Sequence, residues 1–113
     1  MIISKEIIRI YIKLKDENKS FLNTEDFNFF KKTPFDFCIN CAAYTNVEQA
    51  EKTPEIAYRV NADGVKYLAV SCNETNTILI HISTDYVFDG EKGSPYLPDD
   101  LTNPINEYGK SKL

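Results

Sequence analysis

Apolar residues recur at helical spacing in the first stretch, IISKEIIRIYIKLKDE, where Ile3, Ile7, Ile10 and Leu14 form one stripe. Ile8, Tyr11 and Ile12 widen that stripe, which predicts a helix covered by other elements rather than one lying on open surface. The polar run DENKS closes it. Thr24 predicts the N-cap of a short second helix, with Glu25 and Asp26 favourable against its dipole. Phe27, Phe29 and Phe30 would face inward, and Pro34 stops the element.

The pattern then changes. FDFCIN (35–40) and TILIHIS (77–83) are short, nearly continuous apolar runs, as expected for central strands covered on both faces. Between them lies TPEIAYRVNADGVKYLAVSCNE. Thr53 predicts an N-cap, Pro54 suits the first helical position and Glu55 suits the dipole. Ala57, Val60, Val65, Leu68, Ala69 and Cys72 predict the buried stripe, and Gly64 predicts close packing of this helix on the sheet. Strand, helix, strand is a βαβ unit with an expected right-handed crossover. From TDYVFDG to TNPINE the chain reads as loop, punctuated by Gly90, Gly93, Pro95, Pro98 and Pro104. A last helix begins near Asn106.

One hundred and thirteen residues allow one domain at most. A net charge of −4 offers no basic surplus for nucleic acid. No apolar run approaches the roughly 18 residues of a membrane helix, and MIISKEII lacks the layout of a signal peptide. The expectation is a cytoplasmic protein with neither nucleic acid nor membrane as partner. Three cysteines are an odd number for a disulfide scaffold. Cys38 and Cys41 form a CINC, read as two small buried residues rather than a metal or redox pair. No metal-ligand cluster is legible.

Candidate chemistry gathers where the strands end, since ligands of an open parallel sheet bind beyond the carboxyl ends of its strands. NCAAYTNVE follows the first strand, and STDYVFDG follows the second, setting Ser83, Thr84 and Asp85 at its end. Tyr108 and Lys112 follow a long loop, four residues apart and so on one helix face. A hydroxyl can hydrogen-bond a carbonyl, a tyrosine can protonate its oxygen, and a lysine one turn away favours the phenolate that results. The hydride would come from a nicotinamide. Taken singly, each feature has a plainer reading: a YxxxK pair on a solvated helix, hydroxyls ending a strand, Asp85 capping a turn, His81 as a satisfied core histidine.

Together, NCAAYTNVEQAE, YRVNADGV, HISTDYVFDG and TNPINEYGKSKL resemble the dTDP-4-dehydrorhamnose reductases of the extended short-chain dehydrogenase/reductase superfamily, from about Phe35 to Leu113. The resemblance implies an α/β, doubly wound, Rossmann-like parallel sheet, with residues 1–113 forming part of an NAD(P)-binding domain. It implies reduction of the 4-keto group of dTDP-4-dehydro-L-rhamnose by NADPH or NADH. Tyr108 would be the proton donor, and Lys112 would support it and hold the nicotinamide ribose. Thr84 would bond the reacting oxygen, with Asp85 beside it at the nucleotide-sugar substrate. Ala43, Tyr44, Thr45 and Ser83 would border the cofactor, and Asn61 would be structural.

The chain also departs from that pattern. Its four glycines, Gly64, Gly90, Gly93 and Gly109, supply no early phosphate-binding loop. The first strand with that loop, and the substrate domain, are expected to be missing. Residues 18–33 look too short for the next strand. Losing two hydrogen bonds to a charged ligand group would weaken cofactor binding by roughly 10²–10⁴, so these residues alone are expected to be weak or inactive. Faces left apolar by missing strands would favour a homo-oligomer. Two other readings stand beside the enzyme: a non-catalytic relative resembling a methionine adenosyltransferase regulatory subunit, and a remnant without function.

Overall fold

A computed structural model describes residue 32 and residues 35–113 of the chain. The helix expected over 3–14, the helix capped by Thr24, the stop at Pro34 and the short 18–33 segment fall outside these, Lys32 aside. The described residues form an α/β unit built on two parallel strands, β1 (Phe37–Asn40) and β2 (Ile78–His81). Phe37 lies opposite Ile78 and Asn40 opposite His81. Both strands are shorter than the apolar runs that predict them.

Side chains alternate across a strand, so each run divides between two faces. Cys38 turns to one side and packs with Leu68 and Cys72, with Phe35 and Leu79 against them. Burying Leu68 contributes about 1.5–3 kcal/mol. Phe37, Ile39, Ile78 and Ile80 turn to the other side and are exposed, Phe37 to 60%. The expectation of cover on both faces is corrected: among the described residues the strands are covered on one. Cys41, beyond the end of β1, is exposed, so CINC is not a buried pair; the buried partner of Cys38 is Cys72.

After β1 comes a short helix that the sequence reading leaves in its polar loop, α1 (Val47–Lys52). Asn46 caps it, its side chain accepting the Gln49 N–H at 3.0 Å. The crossover then runs through α2 (Pro54–Tyr58), a π turn (Arg59–Asp63) and α3 (Gly64–Glu74) without leaving helical geometry. Thr53 stands at the N-cap position of α2 but does not cap with its side chain. Its hydroxyl donates back to the Gln49 carbonyl at 3.1 Å, ending α1 instead. The π turn bonds five residues apart, Gly64 N–H to Arg59 carbonyl, and so rotates everything after it. That is why Ala69 comes out exposed and Val65 half-buried, while Asn61 and Ser71 turn inward. A Cβ on Gly64 would meet the Arg59 carbonyl at 3.4 Å, an ordinary contact within the helix rather than one with the sheet.

Asn76, at φ 53°, takes the left-handed turn that ends the crossover, a conformation asparagine tolerates better than most. Thr77 then starts the second strand, its N–H on the Cys72 carbonyl at 2.8 Å and its hydroxyl on the Phe35 carbonyl at 2.9 Å. After β2, Thr84 caps a 3-10 turn (Asp85–Val87). The long loop leads to α4 (Glu107–Lys112), capped by Asn106, whose side chain accepts the Gly109 N–H at 2.7 Å. The Glu107 N–H is taken by Glu51 of α1 at 2.6 Å. Gly109 is buried where a Cβ would run into the Tyr86 carbonyl, so α4 lies directly on the 3-10 turn. No described helix is long and apolar enough to cross a membrane.

Candidate active site

The two strands end side by side, and the segments beyond their ends form one rim. Behind β2 come Ile82, Ser83, Thr84 and Asp85. The Thr84 hydroxyl accepts the Tyr86 N–H at 3.3 Å and donates to the Asp85 carboxylate at 3.2 Å, which fixes the turn at the strand's end. An open cleft of about 570 Å³ lies there, lined among others by Ser83, Thr84, Asp85, Phe88, Pro98 and Lys112.

Lys112 reaches this rim from α4. It is 8% exposed, and its ammonium donates to the Ile82 carbonyl at 2.6 Å. Burial holds its pKa below the usual lysine value. An ammonium carries three donors, so this bond leaves two for another partner. Tyr108 stands one turn earlier on α4 and is not among the residues lining the cleft. Its ring meets that of Tyr86 edge-on, with centroids 5.5 Å apart and planes at 76°. The ring is thereby held against the turn that carries Thr84 and Asp85.

Ala43, Tyr44 and Thr45 lie in the β1–α1 loop, outside the lining of this cleft. They are tied to α4 through Asn61, which is 4% exposed. The Asn61 side chain accepts the Tyr44 N–H at 2.8 Å and donates to the Tyr44 carbonyl at 3.0 Å. It also donates to the Ser111 hydroxyl at 2.9 Å, and that hydroxyl donates to the Tyr108 carbonyl at 2.7 Å. One buried amide thus joins the loop after β1, the π turn and the helix bearing Tyr108 and Lys112.

The sequence reading missed a second amide. Asn40 accepts the Ala42 N–H at 3.0 Å and sits 3.1 Å from Nδ1 of His81. Burial, and then the Lys112 cation, hold the His81 pKa below its ordinary value. An asparagine ending an apolar run is the signal that could have pointed to this pair. The cleft's polar side chains are the three hydroxyls of Ser83, Thr84 and Thr102, the carboxylate of Asp85 and the ammonium of Lys112, which has donors to spare. That set suits the hydroxyls of a ribose and the carbonyl of a sugar.

Residues 12–113 match the family described as RmlD substrate binding domain. Over 82 residues the chain is 51% identical to dTDP-4-dehydrorhamnose reductase of Mycobacterium tuberculosis, a match covering 69% of this chain and 27% of that protein. The chain therefore spans about a quarter of the length of such curated relatives. A hypothetical dTDP-4-dehydrorhamnose reductase from Sulfolobus tokodaii superposes with a TM-score of 0.78 at 40% identity, over 96% of this chain and 41% of that one. The dTDP-4-dehydrorhamnose reductase of Bacillus anthracis, solved in complex with NADP, gives 0.76 at 40% identity, over 80% and 32%.

Proposed function

The chain belongs to the dTDP-4-dehydrorhamnose reductase family, and from that premise we propose that it forms the strand-end rim of an NAD(P)H-dependent reductase acting on the 4-keto group of dTDP-4-dehydro-L-rhamnose. The 113 residues are part of its NAD(P)-binding domain. What carries this reading is the meeting of Lys112 with the end of β2: its ammonium bonds the Ile82 carbonyl in the cleft that Ser83, Thr84 and Asp85 line.

Tyr108 is the proton donor, passing its hydroxyl hydrogen to the sugar's C4 oxygen as C4 is reduced to the alcohol. The Lys112 ammonium stabilises the phenolate that remains, and its two spare donors take ribose hydroxyls. Thr84 hydrogen-bonds the reacting oxygen by turning its one hydroxyl hydrogen from Asp85, which faces the sugar beside it. Ala43, Tyr44, Thr45 and Ser83 border the cofactor. A bound nicotinamide supplies the hydride. The NADP complex of the Bacillus anthracis relative supports a nicotinamide partner. A reduced nicotinamide and a nucleotide sugar as partners support a cytoplasmic location. The exposed face of β1 and β2 supports association with another apolar surface.

The test is consumption of NADPH by the full-length protein on addition of dTDP-4-dehydro-L-rhamnose, with dTDP-L-rhamnose identified as product. Consumption that does not depend on the sugar, or none at all, sinks the reading.

A further inference from the structure

Asn40 and His81 are the last residues of β1 and β2 and face each other in register. Their hydrogen bonds leave little choice of chemistry. A backbone N–H can only donate, so the Ala42 N–H at 3.0 Å fixes the Asn40 oxygen on its side. The Asn40 NH2 must then be the group turned to His81, 3.1 Å from Nδ1. Nδ1 is therefore the acceptor, and His81 is neutral with its proton on Nε2.

Adding a proton to His81 turns Nδ1 into a donor facing a donor. Rotating the Asn40 amide would give the imidazolium an oxygen, but would set NH2 against the Ala42 N–H. Either way one of the two bonds is lost. Asn40 is 9% exposed, so water does not readily take the place of the lost partner. From α4 the charged group acting on the ring is Lys112, which opposes a second cation there. From β1 the facing group is the uncharged Asn40, and no charged group of α3 acts on the ring among the described residues.

We propose that His81 is a positioning residue: only in its neutral form does it hold, through the Asn40 amide, the backbone at Ala42 and so the cofactor-facing shape of the loop that continues into Ala43, Tyr44 and Thr45. The proposal rests on the reading of that loop as part of the cofactor site. Protonation of His81 as the pH falls releases the loop, and cofactor affinity falls with it.

The experiment is a pH titration of the full-length protein from about pH 8 to about pH 5, reading the Ala42 amide by ¹⁵N NMR and NADPH affinity by fluorescence. The Ala42 resonance is expected to move with a single midpoint below 6.5, the ordinary histidine value. NADPH binding is expected to weaken by about 5–10-fold across the same midpoint, the worth of one hydrogen bond. Asn40→Asp separates this from a merely structural role. Its carboxylate can accept from both the Ala42 N–H and an imidazolium, so the midpoint should rise by about one unit or more and the Ala42 bond should survive acidification. An Ala42 amide indifferent to the His81 titration, or a midpoint that Asn40→Asp leaves in place, overturns the proposal. NADPH affinity that stays flat while the amide titrates overturns the link to the cofactor. Absence of NADPH binding even at about pH 8 sinks the cofactor reading itself, while the amide titration still decides whether the relay exists.

Discussion

Replacing Asn61 with leucine, nearly equal in shape and without polar atoms, isolates what one buried amide does for this rim. The substitution removes three hydrogen bonds, two to the Tyr44 backbone and one to Ser111. A typical net contribution of about 0.5–1.5 kcal/mol each gives about 1.5–4.5 kcal/mol. Two effects set the value within that range. Tyr44 is half-buried, so its N–H and carbonyl recover part of their bonding from water. Ser111 is 2% exposed, but its hydroxyl keeps its bond to the Tyr108 carbonyl and loses only a donor to its own oxygen. The expected loss is therefore about 2–3 kcal/mol, read as a lower urea midpoint with an unchanged slope. Ser111→Ala removes one of the three bonds and should cost about 1 kcal/mol by itself. In the double variant the two costs should fall short of adding by about 0.5 kcal/mol or more, because both delete the same bond. A loss under about 0.5 kcal/mol for Asn61→Leu, or strict additivity, would refute the claim that this amide joins the loop to α4.

Gly109→Ala should destabilise the protein by about 3 kcal/mol or more, because the new Cβ would overlap the Tyr86 carbonyl oxygen and lie 3.0 Å from its carbon and 3.1 Å from Pro104 Cβ; a neutral result in the same urea assay would mean α4 can lift off the turn. Among the three cysteines, Cys41 should react first with a disulfide reagent, since it is exposed while burial raises Cys38 and pushes Cys72 up to about 12; equal rates for all three would contradict the packing of β1 on α3. Asp89 is held at about 2 by the Tyr96 hydroxyl first, then the Glu91 N–H and Asn103. Its folded value lies below its ordinary 3.8, so its contribution is present above 3.8 and lost as pH falls through about 2. The order of the loop around the stacked Phe88 and Tyr96 rings should fade in that window, and Asp89→Asn should abolish the transition in a near-ultraviolet dichroism titration.

The parts of the fold that were legible are those written in local pattern. The apolar runs gave both strands, the Thr-Pro-Glu start gave the crossover's first residue, and Asn106 gave the start of α4. Helix α1 was not legible because it is six residues long, mostly polar, and held in part by a bond to the distant Glu107. The π turn leaves no periodic signature of its own, and it displaced the predicted stripe at Ala69. Exposure of one face of β1 and β2 could not be read from runs that look alike on both faces. At the site, the clustering of Ser83, Thr84, Asp85 and Lys112 was legible from order along the chain and the rule of strand ends. The structural role of Asn61 was legible through the resemblance, but its partners 17 and 50 positions away were not, nor was the pairing of Asn40 with His81 at 41, because these contacts are fixed by packing and register rather than by neighbours.

The phenol of Tyr108 bears the central claim, and one substitution tests it. In the full-length protein, Tyr108→Phe keeps the ring that packs on Tyr86 and removes only the hydroxyl. Measured at saturating NADPH and ketosugar, its kcat should fall by about 10²–10⁴ while NADPH affinity changes little. A variant that turns over at the wild-type rate would contradict the account.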